Sequence, residues 1–118
     1  MSLESKLSFA RGMTVRIIGK PAGLDLDDSP HTGSSGLQGV IAFVTTLAEV
    51  KAKCSPVIDA AKMDRLAWIA YPKAGQLGTD LNRDVLWQYL LRKGVQGVRQ
   101  VSINDVWSAI RFRPRQQP

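Results

Sequence analysis

The sequence has very few of the residues that build metal centres and thiol chemistry. Among 118 residues there is one cysteine, Cys54, and one histidine, His31. One cysteine cannot form an internal disulfide, and with a single histidine it cannot supply a classical zinc ligand set. Residues 33–36 also lack the Gly-x-Ser-x-Gly spacing of a nucleophile elbow. We expect no catalytic residue and no metal site, and we interpret Cys54 as a small core residue on an apolar helical stripe.

Long apolar segments are also missing. No run reaches the roughly 18 residues that a membrane-spanning helix needs, and residues 1–6 lead into no signal-peptide segment, so we expect a cytoplasmic protein without membrane contact. The apolar content of 44% is enough to fill one core. This predicts a single domain over residues 1–118, with 1–12 as a loose N-terminal lead-in and 114–118 as a C-terminal tail.

Acidic charge is scarce in the second half of the chain. Lys and Arg number six against six Asp and Glu in residues 1–59, and ten against four in residues 60–118, so the net charge of +6 lies entirely in the second half. Such a bias is typical of a surface for nucleic acid or another anion, and also of a solvated, solubilising face. The scattered spacing of the basic residues favours the solvated face.

The most apolar stretch is residues 66–71, which a proline and a lysine follow. A strand that is buried on both faces reads as a continuous apolar run, so this stretch predicts the central strand of an α/β sheet. Further strands are predicted at 13–18 and 40–44. Between them, residues 20–36 consist largely of turn formers and predict a long irregular loop.

Helical and hairpin patterns complete the chain. Residues 47–62 predict a helix broken at Pro56, because proline removes a helical hydrogen bond, and residues 81–93 predict the clearest helix. Residues 98–103 and 106–113 predict a hairpin around a two-residue Asn-Asp turn. The predicted fold is a single-domain three-layer α/β sandwich, with a mostly parallel, Rossmann-like sheet of about five strands that ends in an antiparallel hairpin.

Three blocks in the second half carry a family resemblance: Tyr71-Pro72-Lys73, Thr79 to Asp84 (TDLNRD), and Trp107 to Pro114 (WSAIRFRP). With them, the chain resembles a family of small bacterial proteins that is classed as a domain of unknown function. The outline of the elements is similar to the C-terminal half of a class I methyltransferase fold. That resemblance implies the sheet, but residues 19–23 lack the spacing of a glycine-rich cofactor turn, so no cofactor is expected.

The first candidate site follows the predicted central strand. Lys73 would stand at the carboxyl end of this strand, near the amino end of the next helix, where parallel sheets bind anions. Together with Thr79, Asn82 and Arg83 it forms a candidate ligand site. The alternative gives these residues structural roles, in which Asn82 and Asp80 cap the helix and Asp84 pairs with Lys73 or Arg83.

A second candidate site comprises Trp107, Arg111, Arg113 and Arg115. Trp107 and Arg111 share one face of the last predicted strand, where a guanidinium can lie over an indole ring. Such a face can contact a protein partner or nucleic-acid phosphates, or it can be covered by a helix of the same chain. The acidic stretch 25–28 can in principle hold a divalent ion, but a solvated loop is favoured there.

These residues define no reaction. We expect a non-enzymatic module that binds an anionic small ligand or a protein partner, with a homodimer left open. Two alternatives come from other functional classes: a degenerate methyltransferase-like enzyme that works with a partner, and nucleic-acid binding through the basic C-terminal half.

Overall fold

A computed structural model of the protein describes residues 7–8, 15–21, 24 and 38–115. These residues form a compact α/β unit with five strands and three helices. In chain order the elements are β1 (Val15–Ile18), β2 (Gly39–Phe43), α1 (Leu47–Lys53), α2 (Ser55–Lys62), β3 (Leu66–Pro72), α3 (Arg83–Arg92), β4 (Val95–Ser102) and β5 (Trp107–Pro114).

The strands form one mixed sheet in the order β1-β2-β3-β5-β4. β1, β2 and β3 pair in parallel, while β5 runs antiparallel to both β3 and β4. The predicted sheet of about five strands is confirmed, but the prediction that it is mostly parallel is wrong, since two of its four pairings are antiparallel. The reason is that β5 folds back from β4 and takes the place beside β3.

β3 lies at the centre of the sheet, as its apolar run predicts. Residues 67–72 are all buried. Ile69 and Tyr71 face the helices, while Trp68 and Ala70 face the opposite side. Because each side chain has apolar cover on its own side, the strand shows no polar alternation.

The three helices pack on one face of the sheet. The predicted break in the first helical segment is confirmed: α1 ends at Lys53, and Pro56 lies in the first turn of α2, where its missing amide donor leaves no bond unmade. The hydroxyl of Thr46 accepts a hydrogen bond from the Glu49 amide at 3.2 Å and so caps α1. The fully buried residues of this core include Val50, Cys54, Val57, Ala61, Ile69, Leu86, Leu90, Ile110 and Phe112.

The opposite face of the sheet carries a second core, and no described residue forms a helix over it. Trp68 is fully buried there, and its Nε1 donates to the carbonyl oxygen of Leu7 at 2.9 Å. Phe43 and Trp107 meet edge to face, with ring centroids 5.4 Å apart. Within the described residues the fold therefore has two layers, not the predicted three. The described residues outside the sheet that belong to this core are Leu7, Leu24, Ile103 and Val106.

The hairpin is confirmed, but its predicted two-residue turn is wrong. β4 ends at Ser102 and β5 begins at Trp107, so four residues connect them. The side chain of Asn104 accepts hydrogen bonds from the amides of Val106 and Trp107, at 2.9 and 2.8 Å. An asparagine that bonds the backbone two residues on builds a wider turn without the positive φ angles that the tight turn requires.

Several predictions fall on residues that the structure does not describe. They include most of the lead-in 1–12 and of the loop 20–36, with the acidic stretch 25–28 and His31. Within the described ranges, no helix combines the length and the apolar character needed to cross a bilayer.

Close packing between β4 and α3 makes Gly97 a sensitive position. A Cβ atom built there would lie 2.7 Å from the Trp87 ring and 3.1 Å from Ile110. We expect Gly97→Ala to lower the free energy of unfolding by about 1–3 kcal/mol, because the added methyl group overpacks this contact. Urea denaturation measures the change.

The matched control is the same substitution in a Trp87→Leu background, which removes the ring from contact. There the cost of Gly97→Ala should fall to less than about 1 kcal/mol, since neighbouring substitutions couple. An equal cost in both backgrounds would contradict the packing explanation.

Candidate functional site

The loop after β3 presents the first predicted site at the carboxyl edge of the parallel strands. The Lys73 Nζ donates a hydrogen bond to the hydroxyl of Ser102, at the end of β4, at 2.8 Å. The Thr79 hydroxyl donates instead to the carbonyl oxygen of Thr45, just after β2, at 2.6 Å, and accepts from the Leu81 amide at 2.9 Å. Since β2 and β4 lie on opposite sides of β3, these two predicted ligand residues engage partners in opposite directions.

The other two residues of this predicted site, Asn82 and Arg83, lie at the amino end of helix α3. The Asn82 side chain caps it by accepting from the Val85 amide at 2.8 Å. The Arg83 guanidinium lies 5.7 Å from the Trp87 ring centroid and 3.8 Å from a carboxylate oxygen of Asp84. These are the contacts of the structural alternative, and a ligand role for Lys73, Thr79, Asn82 and Arg83 stays a prediction.

Asp80 differs from its predicted role. Its carboxylate accepts from the Leu47 amide at 2.9 Å, so it serves the amino end of α1 and not that of α3. Asp80 and Thr79 therefore tie the loop after β3 to the segment that joins β2 to α1. These two hydrogen bonds position the loop.

The turn after β1 also has a structural explanation. Gly19 has φ +70°, and a Cβ atom built there would lie 2.9 Å from the carbonyl oxygen of Phe43. The following turn is closed by the Leu24 amide, which donates to the Pro21 carbonyl at 3.3 Å. Glycine is required at position 19 because β2 approaches closely and because φ is positive.

The four residues of the second predicted site lie in different environments. Trp107 is only 7% exposed and packs in the core of the sheet face without helices. The Arg115 guanidinium donates to the carbonyl of Leu91 in α3, at 3.4 Å. Arg111 and Arg113 alternate with buried residues on β5 and point to the same face as Trp107.

Arg113 has a carboxylate partner. Its Nε and Nη2 atoms donate to the two carboxylate oxygens of Asp64, both at 2.8 Å. This two-point hydrogen bond holds the pKa of Asp64 below its usual value. Among the described residues, this is the only ion pair on this sheet face.

Arg111 has no carboxylate partner in the part of the chain that the structure describes. It lies between Trp68 on β3 and Arg99 on β4, since it pairs in register with both. Its Nε atom is buried and makes no hydrogen bond within the described part of the chain. Burial lowers the pKa of the Arg111 guanidinium, the positive charges of Arg113 and Arg99 lower it further, and Asp64 acts in the opposite direction.

Arg99 is the residue that sequence reasoning missed. A two-residue turn at 104–105 would place Arg99 opposite Ile110, on the face that carries the helices. The wider turn pairs Ser102 with Ser108 and so places Arg99 opposite Arg111 instead; the register shift between Gly97 and Arg99 lies beyond this pair and concerns residues 95–97. Its Nη1 atom donates to the hydroxyl of Ser8 at 3.4 Å. We call the surface formed by Arg99, Arg111 and Arg113 the arginine face.

Two surface clefts lie elsewhere. One of about 160 Å³ lies between β2 and α2 and has an apolar lining that includes Val40, Pro56 and Met63. The other, of about 420 Å³, lies between α1 and α3 and is lined in part by Leu47 and Tyr89. Neither contains a residue of the arginine face.

Comparison of the chain with models of protein families, with curated proteins and with solved structures finds no match. The geometry of the described residues therefore has to support any functional assignment.

Cys54 is confirmed as a core residue. It is fully buried at the junction of α1 and α2, and burial raises the pKa of its thiol from 9.0 to about 12. At pH 8 the native thiolate population should be about 1,000-fold lower than that of the unfolded chain. We expect Ellman's reagent to modify the native protein at least that much more slowly than the protein in concentrated urea, with a rate that still rises between pH 8 and pH 10. Rapid native modification would contradict this prediction.

Proposed function

We propose that this protein is a non-enzymatic, cytoplasmic binding module that recognises an anionic group through its arginine face. The observation that carries the proposal is the Arg111 guanidinium, whose buried Nε has no hydrogen-bond partner among the described residues and which stands directly opposite Arg99. A buried donor without a partner is costly, and native proteins rarely retain one without a reason.

Charge adds to this argument. Like charges directly opposite each other on neighbouring strands destabilise a sheet, so the Arg99–Arg111 pair opposes folding. Asp64, the described acid whose charge acts on Arg111, already gives both carboxylate oxygens to Arg113. An anion between Arg99 and Arg111 would supply the missing acceptor and reduce the repulsion, and guanidinium groups suit carboxylate or phosphate ligands.

The arginine face is a stronger candidate than the loop after β3. The Lys73 Nζ already bonds Ser102, and Asn82 already caps α3. At Arg111, in contrast, the buried Nε donor has no acceptor among the described residues. Anion binding, the predicted function, is therefore assigned to a site at Arg111 instead of Lys73.

We expect Arg111→Met to abolish the stabilisation that a bound anion confers. In the unmodified protein, a ligand at ten times its Kd should raise the free energy of unfolding by about 1.4 kcal/mol. Without ligand, Arg111→Met should be neutral or stabilising, because it removes a partly desolvated charge. Thermal unfolding in phosphate, sulfate, citrate or acetate at constant ionic strength measures both effects.

Arg115→Met is the matched control, since it removes the same charge from a side chain that bonds the α3 carboxyl end. It should respond to anions as the unmodified protein does. If Arg111→Met and the unmodified protein respond equally, the proposal fails. If Arg115→Met alone loses binding, the nucleic-acid hypothesis for the C-terminal arginines is favoured instead.

One observation favours the second candidate, a methyltransferase-like enzyme that works with a partner. Alternating strands and helices lead into an antiparallel hairpin, β4 and β5, as the outline of the methyltransferase resemblance implies. The Rossmann-like description of the sheet rests on this likeness and on the parallel β1, β2 and β3. Fold alone does not define an activity.

Calorimetric titration with S-adenosylmethionine tests the second candidate. We expect no saturable heat, because the close approach of Gly19 to Phe43 serves the packing of β1 against β2. Saturable binding to the unmodified protein would favour the enzyme over the binding module.

A further inference from the structure

We infer that the arginine face binds a tetrahedral oxyanion, a phosphoryl or sulfuryl group, with the Ser8 hydroxyl as a third donor, and that this binding fastens residues 7–8 to the sheet. The inference rests on the proposed function, and it adds the ligand class and a coupled structural element.

Ser8 is placed beside the arginine pair. Its hydroxyl oxygen accepts from the Arg99 Nη1 at 3.4 Å, and its side chain is otherwise exposed. A hydroxyl that accepts from a guanidinium keeps its own proton for donation to an anion. Ser8 also has φ +63°, an uncommon conformation for serine that persists only where the surroundings hold it.

Leu7 holds this conformation in place. Its side chain is fully buried in the core of the sheet face without helices, and its carbonyl accepts from the Trp68 Nε1 at 2.9 Å. Trp68 pairs in register with Arg111, which pairs in turn with Arg99. Trp68, Arg111 and Arg99 therefore form one cross-strand row. Leu7 contacts Trp68 at one end of this row, and Ser8 contacts Arg99 at the other.

The arrangement of the donors indicates the shape of the ligand. A planar carboxylate needs only one guanidinium, as the two 2.8 Å bonds between Arg113 and Asp64 illustrate. Arg99 and Arg111 stand side by side on neighbouring strands and Ser8 lies beside Arg99 on a third segment, so the donors come from three positions and not from one guanidinium. A tetrahedral oxyanion has enough acceptor oxygens to bond with all three donors.

Such an anion would bridge the N-terminal segment and the sheet. Because coupling between two binding events is reciprocal, an anion that contacts Ser8 must favour the docked position of residues 7–8 to the same extent that docking favours the anion. The Trp68 indole proton reports on docking, since its hydrogen bond ends on the Leu7 carbonyl.

Hydrogen exchange of the Trp68 indole proton, followed by NMR in the full chain, tests the inference. Inorganic phosphate at ten times its Kd should slow this exchange about 2–6-fold, because docking adds only the 3–10-fold affinity that the Ser8 hydroxyl contributes, while acetate at matched ionic strength should have little effect. Ser8→Ala should weaken phosphate binding by about 3–10-fold and remove most of the protection. Ser55→Ala, which changes an exposed serine of α2, is the matched control and should behave as the unmodified protein.

The outcomes separate this inference from the proposed function. If phosphate binds through Arg99 and Arg111 with the same affinity in Ser8→Ala, and Trp68 exchange does not respond, the inference is overturned while the proposed function stands. Acetate as effective as phosphate would also overturn it. If no anion binds the unmodified protein, the proposed function itself fails.

Phenyl phosphate and a short oligonucleotide, tested as probes in the same assay, distinguish a phosphate monoester from a phosphodiester as the source of the group.

Discussion

The burial of β3 on both faces is the constraint on which the rest of the structure depends. Trp68 brings a polar indole N–H into an apolar core, and this donor needs an acceptor that the neighbouring side chains cannot supply. The Leu7 carbonyl supplies it from a segment 61 residues away along the chain. The central strand thus determines both the helical layer on one face and the position of residues 7–8 on the other.

The arginine face follows from the way in which β5 joins this strand. β5 folds back beside β3, so its alternate residues project over the face where Trp68 is buried, and Arg111 comes to lie next to the indole. The four-residue turn then sets the register from Ser102–Ser108 to Arg99–Arg111, and so aligns Arg99 with Arg111. This register differs by one residue from that of a two-residue turn, and a one-residue shift moves side chains to the other face of a strand, so the wider turn creates the pair of opposed guanidinium groups.

The residues around the loop after β3 illustrate the limit of motif reasoning. Lys73, Thr79 and Asn82 occupy positions where an anion site is common, and the capping role of Asn82 was predictable from its place before a helix. The bond from Asp80 to α1 and that from Thr79 to Thr45 were not predictable, because both join segments more than 30 residues apart. In the structure these polar groups hold neighbouring connections together at the edge of the sheet.

The sequence by itself determined the elements whose signals are local: the continuous apolar run of β3, the break before Pro56, the cap at Asn82 and the alternation along β5. Only the tertiary structure decided the strand order, the face on which the helices pack and the pairing of Arg99 with Arg111. The physical reason is that periodicity and capping depend on neighbours within a few residues. Sheet order and register depend on which distant segments bury each other best, and a bulge or a wider turn changes the register without changing the pattern.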